Sequence, residues 1–75
     1  MHTPTQTVGA NSRAEVARRG LTQAALAEVI GVSQSQLSKR LRGVIPFDVN
    51  EVAAIANALD VPITELVTAK AGSAA

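Results

Sequence analysis

Gly31 stands in the middle of a stretch, Leu21 to Gly43, that is otherwise patterned for helix. Glycine tolerates the left-handed backbone needed to leave a helix, so this position splits the stretch into two short helices and forbids one long one. Thr22 is placed to cap the first, its hydroxyl accepting an otherwise unpaired backbone N–H. Ala24, Ala25, Leu26, Ala27 and Ile30 supply a small, apolar, helix-permissive run. Ser33 is the cap of the second helix. Leu37 and Leu41 lie four apart and share one buried face. Gln34, Ser35, Ser38, Lys39 and Arg42 fall largely on the other, and Gly43 closes the helix.

The core available to such helices is limited. The 75 residues include one Phe and no Tyr, Trp or Cys. A chain of this length makes one small domain of marginal stability, built from Leu, Ile, Val and Ala. Closely packed short helices suit that palette better than a sandwich or barrel. Without cysteine there is no disulfide framework, thiol nucleophile or cysteine zinc site, which fits a reducing cytoplasm. No apolar run approaches the roughly 20 residues of a membrane span, and no signal-peptide pattern opens the chain. The expected fold is therefore all-α and compact, with five helices and the pair just described at its centre.

The remaining helices follow from local signals. Residues 1–5, containing Pro4, read as a flexible arm. Residues 6–19 read as the first helix, with Val8, Ser12 and Val16 on one face and Gly20 as its stop. Gly9 and Ser12 weaken that helix, and a start nearer Asn11 is the alternative. Residues 43–47 form a connector whose Val44, Ile45 and Phe47 are apolar enough to fold partly onto the core. Asp48 and Glu51 have the spacing of a capping box for a helix over 48–59, with Val52, Ile55, Ala56 and Leu59 inward. Residues 62–68 read as a last short helix opened by Pro62. The domain thus covers 6–69, and 70–75 is expected to be disordered.

Charge divides the chain. Residues 1–47 carry six Arg/Lys against two Glu, and residues 48–75 carry one Lys against four Asp/Glu. No acidic residue lies between Glu28 and Asp48, the stretch that holds Lys39, Arg40 and Arg42. Such polarity suits a protein that turns one face to a polyanion; a solvated charged face is the alternative. Catalysis has little to stand on. The only His, His2, is on the arm, so Ser33, Ser35 and Ser38 have no base, and there is no phosphate-cradling glycine loop. No metal site, cofactor or small-molecule effector is expected.

Two helices around a tight turn, the second presenting amide, hydroxyl and cationic groups, form a helix-turn-helix suited to a major groove. Gln34, Ser35, Ser38 and Lys39 are the candidates to read base edges: glutamine matches adenine N6 and N7, and lysine reaches guanine O6 and N7. Arg40 is expected to lift its head to solvent or phosphate. Gln23, Leu26, Ala27, Gly31, Val32, Ser33, Gln34, Leu37 and Gly43 together resemble the helix-turn-helix of the lambda repressor/Cro-like (XRE) family. The stretch D-V-N-E-V-A-A-I-A-N-A-L-D-V-P-I-T-E-L resembles that family's closing helices, and the likeness covers roughly residues 8 to 68. Arg40 and Leu41 depart from the pattern, which commonly has an apolar residue at the first and often a polar one at the second. The resemblance implies phosphate contacts by Gln23, and similarly by Ser33 and Arg42, with more distant ones from Arg13, Arg18 or Arg19.

The functional expectation is a sequence-specific, double-stranded DNA-binding transcriptional regulator, a repressor acting by occupying its operator. For so short a regulator the resemblance implies a phage or prophage origin. One recognition helix covers only a few base pairs, so a homodimer on a two-fold site is expected. Val61, Ile63, Leu66 and Val67 are the dimerisation candidates; the alternative is that they cap the monomer core. A different class of function also fits the low net charge: a protein-interaction module, such as an antitoxin-like partner-binding protein, on the same scaffold.

Overall fold

Four of the five helices begin where a side chain takes over an unpaired backbone N–H. The computed structural model describes residues 3–69, in which α1 spans Pro4–Arg18, α2 Gln23–Ile30, α3 Gln34–Leu41, α4 Val49–Leu59 and α5 Thr64–Val67. Thr22 accepts from the Ala25 N–H, Ser33 from the Gln36 N–H and Asp48 from the Glu51 N–H. The Glu51 carboxylate in turn accepts from the Asp48 N–H, completing the expected capping box. Among the described residues there are no strands, and no helix is long and apolar enough to cross a membrane.

The start of α1 differs from the sequence expectation. Pro4 and Thr5 belong to the helix rather than to an arm. Thr3 is its cap: the hydroxyl accepts from the Gln6 N–H at 3.2 Å and the Gln6 side chain accepts from the Thr3 N–H at 2.9 Å. Pro4 sits in the first turn, where its missing N–H costs nothing and its φ is already helical. The rest of the expected arm, residues 1–2, and the expected tail, residues 70–75, lie outside the described residues.

Helix α1 also runs unbroken through Gly9, so the longer version of the helix holds. The reason is a close crossing. A Cβ on Gly9 would stand 2.3 Å from the Leu41 carbonyl oxygen of α3, a distance no real side chain tolerates. Glycine lets the two backbones touch. Ser12, one turn on, is fully buried, and its hydroxyl has no hydrogen-bond partner. A larger residue at Gly9 would hold α1 away from α3.

Val8, Val16, Leu26, Ala27, Leu37, Leu41, Val52, Ile55, Ala56, Leu59 and Leu66 make the core. Helix α1 lies against α3 and α5, while α2 lies against α3 and α4, so α3 is clamped from both sides. Phe47, in the connector before α4, packs against the same core as expected, whereas Val44 is exposed. Asp60 ends α4 in the left-handed conformation, with φ 55°.

Helix α5 is shorter than the expected 62–68. It has no side-chain cap and starts after a turn in which the Glu65 N–H donates to the Pro62 carbonyl at 2.9 Å. Two long-range contacts hold it. Leu66 is completely buried. The Asn11 side-chain amide of α1 donates to the carbonyls of Leu66 at 2.8 Å and Thr68 at 3.0 Å. Those carbonyls are at the helix end, where no intrahelical donor remains.

Candidate nucleic-acid interface

The interface is built on α3. Gly31 ends α2 with φ 77°, and the Val32 N–H turns back to the Ala27 carbonyl at 3.0 Å. Two residues later Ser33 starts α3, so the turn is as short as the sequence predicts. Leu37 and Leu41 are buried completely or nearly so and fix the rotation of α3 about its axis. At 100° per residue, Lys39 then points directly away from the core, with Ser35 and Arg42 beside it.

Of the predicted base-reading residues, Gln34, Ser35 and Lys39 are exposed. Ser38 is half-buried on the flank of the helix. Its carbonyl accepts from Arg42 Nε at 3.3 Å, which draws the Arg42 side chain back along α3. Gln23 is exposed at the first position of α2, on the far side of the turn. Ser33 is also exposed; its oxygen caps α3, so its remaining capacity is the O–H as a donor. Gln23 and Ser33 each stand at the start of a helix, α2 and α3 respectively, where backbone N–H groups and the helix dipole favour an anion.

Arg40 corrects the sequence expectation. Its head is not lifted to solvent. The side chain is 17% exposed, and Nε donates to Glu51 of α4 at 3.0 Å. Nη1 donates to the Gln36 carbonyl at 3.2 Å and to Gln36 Oε1 at 3.0 Å. Nε and Nη1 of the guanidinium are thus committed within the protein. Gln36 itself, exposed on α3, is the residue that reading by sequence overlooked. It stands as far from the Leu37–Leu41 line as Arg42 does, about 120° around the helix, and that spacing was available to find it.

The distribution of ion pairs sharpens the picture. The three ion pairs resolved among the described residues use Arg18, Arg19 and Arg40. Arg18 and Arg19 both fold back onto the buried Glu15 of their own helix, Arg19 at 3.4 Å. Arg13, Lys39 and Arg42 are in none of these pairs. Arg13 and Arg42 border one cleft of about 170 Å³, shared with Gln6, Ala10 and Leu41. The cationic surface therefore consists of the outer face of α3 and an adjoining strip of α1. Among the described residues, no group of three or more His, Cys, Asp or Glu is placed to hold an ion.

The four dimerisation candidates separate. Leu66 is completely buried in the core, and Val61 is partly buried against it. Burying a Leu contributes about 1.5–3 kcal/mol, which explains why a helix as short as α5 spends its central residue inward. Ile63 at 42% and Val67 at 50% remain exposed. They border an apolar groove of about 230 Å³, together with Pro4, Val8, Phe47 and Val49.

Comparison with known proteins agrees with this geometry. A family model described as helix-turn-helix, HTH_3, matches residues 13–66. Among curated proteins no match is found. Two crystal structures of the clp gene regulator ClgR from Corynebacterium glutamicum are similar to the chain. Each has a TM-score of 0.87 at 29% identity. One alignment covers 96% of this chain and 77% of the ClgR chain, the other 100% and 97%. With the helix pair, its caps and its closing helices in the expected places, the chain belongs to the lambda repressor/Cro-like helix-turn-helix family of DNA-binding transcriptional regulators.

Proposed function

We propose that the protein is a sequence-specific repressor that places α3 in the major groove of double-stranded operator DNA. The observation that supports this most is the division of α3. Its inner face is locked by Leu37 and Leu41, its outer face offers Ser35 and Lys39, and its first residue Gln34 is exposed at the helix start, all without a carboxylate. Gln34 and Ser35 enter the groove first, with Lys39 a turn behind and Ser38 contributing from the flank. Gln23, the Ser33 hydroxyl and Arg42 hold phosphates on either side, and Arg13 extends that contact along α1. Repression is steric: an occupied operator is closed to polymerase.

Two copies act together. The longest extent of the molecule is 31 Å, and half-sites one helical turn apart are separated by roughly 34 Å. Copies side by side on one face of the duplex thus reach successive major grooves. Ile63 and Val67 are the surface through which they pair.

The test uses fluorescent duplexes enriched by the protein from a random pool, with binding read by anisotropy at two salt concentrations. Phosphate contacts predict steep weakening as salt rises. Gln34→Ala is expected to cost about 1–3 kcal/mol on the enriched duplex and little on random DNA. An equal loss on both duplexes would remove Gln34 from base reading, and an absence of duplex binding would reject the repressor.

A further inference from the structure

Glu51, Arg40 and Gln36 form a line of hydrogen bonds that starts at the cap of α4 and ends on the exposed face of α3. Glu51 Oε1 accepts from the Asp48 N–H at 3.0 Å and from Arg40 Nε at 3.0 Å. Both side chains of the ion pair are largely shielded, at 17% and 12% exposure. Arg40 Nη1 then reaches Gln36 Oε1 at 3.0 Å. Gln36 is fixed at its other end too, because its backbone N–H donates to the Ser33 hydroxyl at 3.1 Å.

The chemistry of this line determines what Gln36 can offer. A glutamine amide normally turns over freely, presenting either its oxygen or its nitrogen. A guanidinium has donors only. The atom that meets Arg40 must therefore be the amide oxygen, and the Nε2 group with its two N–H donors is turned the other way. An amide held like this is biased against the paired mode that reads adenine, which needs its oxygen and nitrogen together. It is matched to an edge made of acceptors, and in the major groove guanine presents two, O6 and N7.

We propose that Gln36 is a further base-reading residue that selects guanine through Nε2, and that Arg40, anchored by Glu51, is the positioning residue that orients its amide. This rests on the reading of α3 as the groove helix. Arg40 itself touches no DNA. Its charge is spent on Glu51, and its contribution to recognition passes through the amide of Gln36.

The experiment is enrichment of a random duplex pool, followed by sequencing, with the wild-type chain and three variants. Gln36 is exposed, so Gln36→Ala is expected to fold and to lose one guanine preference per half-site, roughly tenfold in enrichment, with the other positions unchanged. Gln36→Glu replaces donors by acceptors and should move the preference at that position from guanine towards cytosine, whose N4 donates. Arg40→Met keeps the bulk but frees the amide, and should relax guanine to guanine or adenine at that position alone. Circular dichroism establishes that each variant is folded at the assay temperature. Identical preferences for Gln36→Ala and wild type would overturn the proposal, and so would a weakening spread evenly over all sequences, the mark of a backbone contact. An unaltered guanine preference in Arg40→Met would remove Arg40 from its role. A wild-type chain that enriches no sequence would instead fail the groove reading itself.

Discussion

Gly9 reverses the usual sign of a glycine-to-alanine change. In an open helix Ala is favoured by about 1 kcal/mol. Here the added Cβ would meet the Leu41 carbonyl oxygen at 2.3 Å, and α1 would have to move off α3. Gly9→Ala is therefore expected to lower stability by about 1–3 kcal/mol, read as a lower urea midpoint by far-UV circular dichroism. Ser12 carries the opposite expectation. Its buried hydroxyl is unpartnered, so Ser12→Ala removes a desolvation cost and should raise stability by about 1 kcal/mol. A lower midpoint would mean that the hydroxyl has a partner in solution. Both residues stand out in the sequence as flaws on the inward face of a helix. The cause at Gly9 does not, because it is a contact with α3 far along the chain, and periodicity carries no information about how closely two helices cross.

At the scale of elements, the legible parts were those whose signals are local. The Thr22, Ser33 and Asp48–Glu51 caps and the Gly31 turn all involve residues at most five apart, and each lies where the sequence puts it. The Thr3–Gln6 box was equally local. It was obscured because Pro4 suggests an arm as readily as a first helical turn. Helix α5 is a different case: four residues without a side-chain cap have little stability of their own, and nothing near them in the sequence announces Asn11 as their support. Asn11→Ala should cost about 1–2 kcal/mol through two lost hydrogen bonds. Its signature is local, with the amide protons of residues 66–68 exchanging faster while those of α2 and α4 keep their protection. Uniform loss of protection would show that α5 unfolds only with the whole domain.

For the whole molecule, the sequence correctly opposed a cationic front half to an acidic back half, but charge counts overstated the free cations. Arg18, Arg19 and Arg40 are already paired, and pairing depends on which helices meet. Apolar counting likewise could not separate Leu66, which faces the core, from Val67, which faces out, since a helix of one turn has no period to read. The groove beside Val67 makes a direct prediction for assembly. Val67→Glu is expected to convert the proposed dimer to a monomer in sedimentation velocity, with monomer stability changed by less than about 0.5 kcal/mol, as for other exposed positions; a dimer that survives would move the interface elsewhere. Finally, a single oxygen of Glu51 both caps α4 and holds Arg40. Position 51 is consequently pleiotropic: a substitution there alters the start of one helix and the outer face of another in one step. A lineage diversifying its operators would find position 36 free to vary and position 51 expensive, so the two should drift at different rates although one line of hydrogen bonds joins them.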